Sequence, residues 1–251
     1  MNNQTTEKEI ILEEFNKLTK FVKPPMTSLE NIKSIFKLWL SFNFTRLMQR
    51  IGFNRKKIKT FSEKSQIILN IGCAGDEKEE YINADVFRVF GDWGFASIRR
   101  FLLGNRDKTR YDLFLNLTEL DQDLLGIADF IILSHVLEHI HPQYALVALK
   151  NCFDYLKIGG YIRLAVPFLD AYNTSNLPEC QKLTYPILAK NRLIYGWGHC
   201  FMYDAVLLKF LLEEAGFSEV EQVNFGSGIL GETDVAEYRQ ESIYLKGKKL
   251  N

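Results

Sequence analysis

The sequence has no net charge, no C-x-x-C pair and no apolar run long enough to cross a bilayer. Each absence closes a class of explanation. Without closely paired thiols, Cys73, Cys152, Cys180 and Cys200 make no secreted disulfide framework, and reduced thiols in the cytoplasm fit the pattern best. The opening residues, MNNQTTEKEIILEE, are polar and acidic where a signal peptide needs a basic start and an apolar middle, so a cytoplasmic location is expected. There is no G-x-G-x-x-G for a nicotinamide enzyme and no G-x-S-x-G elbow for Ser-His-Asp hydrolysis. Acid is missing in one further place. Between Asn31 and Thr60 stand Lys33, Lys37, Arg46, Arg50, Arg55, Lys56, Lys57 and Lys59 without one Asp or Glu, so the balancing acid lies elsewhere in the chain.

What is present is an ordinary globular composition, 47% hydrophobic and 25% charged over 251 residues, enough for one large domain or a domain with an extension. Residues 5–22 carry apolar positions at helical spacing until Pro24 and Pro25 stop them, and Thr27 or Ser28 can cap the segment that follows. That segment, Ile32 to Phe53, mixes Phe36, Trp39, Phe42 and Phe44 with mostly basic neighbours. Residues 1–62 therefore form a helical, basic and aromatic extension with three open roles: packing on its own domain, capping a pocket, or lying peripherally on an anionic membrane. Nucleic acid is not an expected partner, because no recognisable binding module accompanies the charge.

The rest is organised around Gln66 to Gly75, QIILNIGCAG. Its branched apolar run predicts a strand buried on both faces, and Gly72 and Gly75 predict a tight turn that lets backbone approach a ligand. The charged stretch Asp76–Glu80 is expected to open a short helix whose N-terminus faces something anionic or polar. An ordinary strand-to-helix turn explains the same residues equally well. Further strands are predicted at 81–86, 111–117, 128–134, 161–167 and around 220–224 and 242–245, with helices at 142–156 and 203–216. The alternation predicts an α/β fold with a doubly wound, mostly parallel seven-stranded sheet over 63–251. Asp85 ends the second strand, where a carboxylate can accept from two ribose hydroxyls, although the interval from Gly72 is short. Residues 170–201 have no such rhythm and read as a substrate-facing insertion carrying Tyr172, Tyr185, Tyr195 and Trp197.

Taken together, LNIGCAG at 69–75, YINADV at 81–86, DFIILSHVLEHI at 129–140, LKIGGYIRLAVP at 156–167 and EEAGF at 213–217 resemble a class I S-adenosylmethionine-dependent methyltransferase. The likeness is to the small bacterial type with S-H-x-L-E-H after the fourth strand. It covers roughly residues 65–246 and implies S-adenosyl-L-methionine as cofactor. It places the methionine part of the cofactor at Gly72, Cys73, Ala74 and Gly75 beside Asn70, the ribose on Asp85, the adenine edge at Asn116 and Leu117, and the reactive sulfonium near Ser134 and His135. The wider family has an acid where Asn70 stands, a Gly where Ala74 stands and often Asp where Asn116 stands. The implied acceptor is a small molecule or a saccharide, methylated at oxygen. A hydroxyl needs a base, for which His199 and then His139 are the candidates.

Two readings compete. A non-catalytic module of the same fold could dock on a membrane or partner through residues 31–60. His135, Glu138 and His139 also spell the H-x-x-E-H of inverted zinc peptidases, which requires a long helix and a third ligand, whereas here the motif leaves a strand and meets Pro142. No metal is assigned from the sequence. Glu138 and His139 serve as well simply to pin the loop after the fourth strand.

Overall fold

In the computed structural model the described residues are 29–61, 63–73, 76–87, 111–173 and 186–251, with positions 9, 10, 12, 13 and 16, which are helical. The rest of the predicted leading helix at 5–22 lies outside them. Two helices come first, α1 (Leu29–Arg50) and α2 (Arg55–Phe61), followed by β1 (Ile68–Ile71), β2 (Ile82–Asp85), β3 (Leu113–Phe114) and β4 (Ala128–Ser134). Then come α3 (Pro142–Tyr155), β5 (Leu156–Pro167), α4 (Pro186–Tyr195), α5 (Ala205–Ala215), β6 (Ser218–Val223) and β7 (Ser242–Lys248). The sheet has seven strands in the order β3-β2-β1-β4-β5-β7-β6, with β7 antiparallel to both of its neighbours and the remaining pairs parallel. This is the expected α/β architecture.

Burial explains the alternation. Leu69, Ile131, Leu133, Ile162 and Leu164 are sealed between layers, and Ala148, Leu149, Cys152, Leu208 and Leu212 bring α3 and α5 onto the same core. α5 starts where the Asp204 carboxylate accepts from Leu207 N (2.8 Å) and stops at Gly216, whose φ of 110° is left-handed. Two elements differ from the sequence reading. β5 begins at Leu156, ahead of the expected Tyr161, and its pairing with β4 shifts register between Ala128 and Phe130. Residues 186–195 of the supposed insertion are helix α4, and Tyr172 is core, its hydroxyl donating to Glu241 (2.7 Å). Tyr185 lies outside the described residues.

The N-terminal extension packs with its polar side inward. Ser41, Thr45 and Gln49, four residues apart on one stripe of α1, are buried, while Ile35, Phe36, Leu38, Trp39, Phe42 and Leu47 are exposed. The cause is the edge of β3, beside which no further strand stands among the described residues. Asn54 supplies its amide instead: Phe114 N donates to Asn54 Oδ1 (3.2 Å) and Asn54 Nδ2 donates to Phe114 O (2.9 Å). Two residues on, Asn116 N donates to Gln49 Oε1 (2.9 Å) and Gln49 Nε2 to Asn116 O (3.4 Å). Two side-chain amides thus stand in for a neighbouring strand and satisfy an edge that would otherwise recruit another chain. Arg46 and Arg50 join Glu119, and Arg55 joins Asp123, so part of the basic charge is matched by acids of the domain. Hydrogen bonds from Arg50 and Arg46 hold the Glu119 carboxyl below the usual range despite its partial burial.

Among the described residues no helix is long and apolar enough to cross a membrane. Asn54→Ala would orphan both backbone groups of Phe114 and remove the hydrogen bond to Asp121 Oδ2 (2.9 Å). It should cost about 2–3 kcal/mol in urea unfolding. Arg55→Ala, which removes an exposed ion pair, should leave the unfolding midpoint where it is.

Candidate active site

β1, β2, β3 and β4 run parallel, so their carboxyl ends share one edge of the sheet. The chain leaves β1 toward β2 and β3 and later returns to β4 on the other side of β1. Such a reversal opens a crevice at the strand ends. Gly72 closes β1 there with φ 71°, and a Cβ on it would lie 2.3 Å from Val136 Cγ2, in the loop after β4. Both the left-handed backbone and the missing side chain are therefore required, as expected for a turn that holds a ligand against its main chain. Ala74 and Gly75 lie outside the described residues.

Other expected ligands are brought to the same edge in different ways. Asn70 turns inward: its Nδ2 donates to Asp76 O (2.8 Å) and to Asn83 Oδ1 (3.1 Å), its partner in register on β2. Asn83 in turn accepts from Lys78 N (3.0 Å) and donates to Lys78 O (2.8 Å). These local bonds give the backbone at 76–80 an alternative to helix, and it forms coil and turn where a helix was predicted. Asn70 therefore shapes the turn, and no helix N-terminus stands at 76–80 to receive an anion.

Cys73 buries its side chain among Phe87, Tyr111 and Phe114, and its backbone oxygen accepts from Asp76 N (2.5 Å). Asp85 is half-buried at the end of β2, with Oδ1 accepting from Val86 N (2.6 Å). Asn116 sits just past β3, its side-chain Oδ1 accepting from Thr118 N (3.1 Å) and Thr118 Oγ1 (2.8 Å). Leu117 faces the core, its backbone oxygen accepting from Asn151 (2.8 Å).

At the tip of β4, Ser134 is followed by His135 at φ 54°, a left-handed conformation that non-glycine residues hold at a cost and that marks functional edges. His135 Nε2 lies 2.7 Å from Ser242 Oγ, and its ring is 4.3 Å from that of Tyr238. Burial pushes its pKa down to about 4, so the ring is neutral at pH 7. The chain then makes one 3-10 turn, Leu137–His139, and not the long helix that an inverted zinc peptidase needs. Glu138 is fully buried, and its backbone oxygen accepts from Cys200 N (2.7 Å) and Phe201 N (3.2 Å). The loop is pinned, as one reading of the sequence had it, though by the main chain of Glu138. Those bonds bring His199 beside His139, with ring centroids 4.9 Å apart. His199 Nδ1 lies 2.6 Å from Leu193 O, which can only accept, so Nδ1 carries the proton and Nε2 the lone pair. Burial lowers the His199 pKa to about 4 and raises that of Glu138 to about 8.

The family profile described as "Methyltransferase domain" (Methyltransf_23) matches residues 44–222. The chain belongs to this methyltransferase family. The Gly72 turn, Asp85 and the β4 tip are the parts of this chain that could hold S-adenosylmethionine, the cofactor that the sequence resemblance implies. The match starts within α1, and Ile58 of α2 belongs to the main core. No curated protein matches the sequence.

Among solved structures, a SAM-dependent methyltransferase from Archaeoglobus fulgidus is 18% identical, with 82% of this chain and 94% of that one covered and a TM-score of 0.42. A possible histamine N-methyltransferase from Thermotoga maritima is 14% identical, with 87% and 95% covered and a TM-score of 0.45. PigF with SAH is 18% identical over 73% of this chain, at a TM-score of 0.44, and the methyltransferase spans 50% of PigF's length.

Sequence reasoning missed what converges on the β4 tip from afar. Ser242 and Tyr238 reach His135 from the C-terminal region, and Leu193 fixes the tautomer of His199. Arg163, fully buried on β5, forms a bidentate pair with Asp234 and donates to Ser227 O (2.9 Å), which holds the 224–234 segment on the sheet. Only the isolated charge of Arg163 within an apolar strand could have signalled it. Gly72→Ala should lose S-adenosylmethionine binding in calorimetry. The left-handed backbone alone should lower stability by about 1–2 kcal/mol, with the Val136 contact adding to that.

Proposed function

We propose that this methyltransferase acts on a hydroxyl of a small molecule or saccharide. One observation carries the reading: the imidazoles of His139 and His199 meet the buried Glu138 directly beyond the tip of β4. Bound S-adenosylmethionine supplies a methyl already activated by its sulfonium. What is left to the chain is alignment and, for a hydroxyl, removal of a proton. Alignment comes from the rigid ends of β1, β2 and β4, and it is the larger part of such catalysis. Proton removal falls to the cluster of Glu138, His139 and His199. Tyr195, which ends α4, and Trp197 just after it are both 53% exposed, aromatic surface of the kind that sugars stack on, with Arg192 lying 5.6 Å from the Trp197 ring.

Calorimetric titration with S-adenosylmethionine and S-adenosylhomocysteine should show one site that Asp85→Ala loses. Methyl transfer to a panel of sugars and small alcohols should then yield O-methyl ethers, with turnover reduced about 10²–10⁴-fold in His199→Ala at unchanged cofactor affinity. Methylation at nitrogen or carbon by the wild-type protein would overturn the oxygen assignment.

A second reading, peripheral contact with an anionic membrane, is supported by the outward apolar side of α1. There Phe36 and Trp39 stack at 5.9 Å beside the basic Lys33 and Lys37. Co-sedimentation with phosphatidylserine-containing vesicles should be lost in Trp39→Ser/Phe42→Ser and weakened by salt. Equal binding by the variant would dismiss this reading.

A further inference from the structure

The Glu138 side chain presents a physical problem. It is fully buried, and among the described residues neither carboxyl oxygen has a hydrogen-bond partner. The nearest candidates, His135 Nδ1 at 3.5 Å and His139 Nε2 at 3.8 Å, are at ion-pair distance but too long for hydrogen bonds. A buried acid without a partner is costly unless it is paired or coordinates a metal. The Tyr203 hydroxyl is likewise buried without a partner among the described residues and feels the Glu138 carboxylate. Two unsatisfied groups thus share one place.

The ligand atoms of Glu138, His139 and His199 all lie within 4.8 Å of one another. On a tetrahedral ion with bonds of about 2.1 Å, ligand atoms stand about 3.4 Å apart, so modest side-chain rotation closes the set. His199 is already prepared for it. Its Nδ1 proton is held by Leu193 O, which directs the Nε2 lone pair outward, the supporting arrangement that histidine ligands of metals have. Access is from the His139 side, which is 39% exposed, while the Glu138 side is closed.

We infer that Glu138, His139 and His199 bind one divalent transition-metal ion of the zinc type. Two imidazoles and one carboxylate suit Zn2+, Co2+ or Fe2+ better than Mg2+ or Ca2+, which prefer all-oxygen sites. Three protein ligands leave a position open, the mark of a site that takes a water or a substrate oxygen and not of a structural one. The ligand set differs from the H-x-x-E-H arrangement: His135 is engaged with Ser242, and its place is taken by His199 from a loop 60 residues on. The inference rests on the hydroxyl-acceptor reading for its purpose. The ion would take the acceptor hydroxyl in its open position and lower that group's pKa, the proton leaving to solvent, so that the two histidines act by holding the ion and not as bases themselves.

The test uses untagged, chelator-treated full-length protein, with Zn2+ followed by calorimetry and Co2+ by its visible absorption. One equivalent should bind, with tetrahedral Co2+ absorption. Glu138→Gln, which keeps the shape of the side chain, and His199→Ala should each weaken binding by more than about a hundredfold, beyond what losing a supporting residue costs. Cys200→Ser should bind as the wild type does. Cofactor titration of every variant separates the two readings, since it reports the crevice independently of the ion. Failure of the wild-type protein to bind either ion while it still binds S-adenosylmethionine would overturn the metal site alone, as would binding that survives in both Glu138→Gln and His199→Ala. Loss of binding in Cys200→Ser would reassign the ion to a thiolate and overturn the ligand set.

Discussion

The contact between Gly72 and Val136 is the constraint on which the site depends. Parallel pairing of β1 with β4 aligns Leu69 with Ile131 and Ile71 with Leu133, and so brings the turn after one strand against the loop after the other. There is room for this only because position 72 has no side chain. The approach fixes where the crevice opens, and it sets the origin of the segment that carries His135, Glu138 and His139. Everything chemical in the molecule hangs from two adjacent strand ends.

Around that origin the structure spends polar groups on shape. Asn70 and Asn83 fold the segment after β1 back onto β2, Asn54 and Gln49 finish the edge of β3, and Arg163 with Asp234 fastens the 224–234 segment. Each is a buried polar side chain whose hydrogen bonds are filled by backbone or by a partner of matching geometry, the condition under which burial is tolerated. Glu138 breaks the pattern. Among the described residues its two oxygens have no hydrogen-bond partner, and they lie near a histidine whose lone pair is set by a backbone carbonyl. A cation held by Glu138, His139 and His199 would complete that carboxyl group.

The edge of β3 shows how a sequence pattern can be read with the wrong sign. Bulky apolar residues between Ile32 and Phe53 suggest a helix that buries its hydrophobic stripe, yet α1 buries Ser41, Thr45 and Gln49. The demand that decides it comes from Phe114 and Asn116, whose backbone groups would otherwise be left without partners at a sheet edge. Nothing in the local sequence of α1 announces that demand, because it arises from strands more than sixty residues away.

Local periodicity and turn chemistry determined the seven strands, α3 and α5, the Gly216 stop and the strand-end placement of Gly72, Asp85 and Ser134. Those features depend on residues near one another in the chain, and the sequence records them directly. Motif order carried the family and its cofactor for the same reason. Tertiary structure alone decided that Asp76–Glu80 is not a helix, that Leu117 and Tyr172 belong to the core, and that His199 and Leu193 come to stand beside Glu138 and His139. Each of these is settled by which distant backbone groups need a partner once the sheet has formed. No spacing along the chain encodes that requirement.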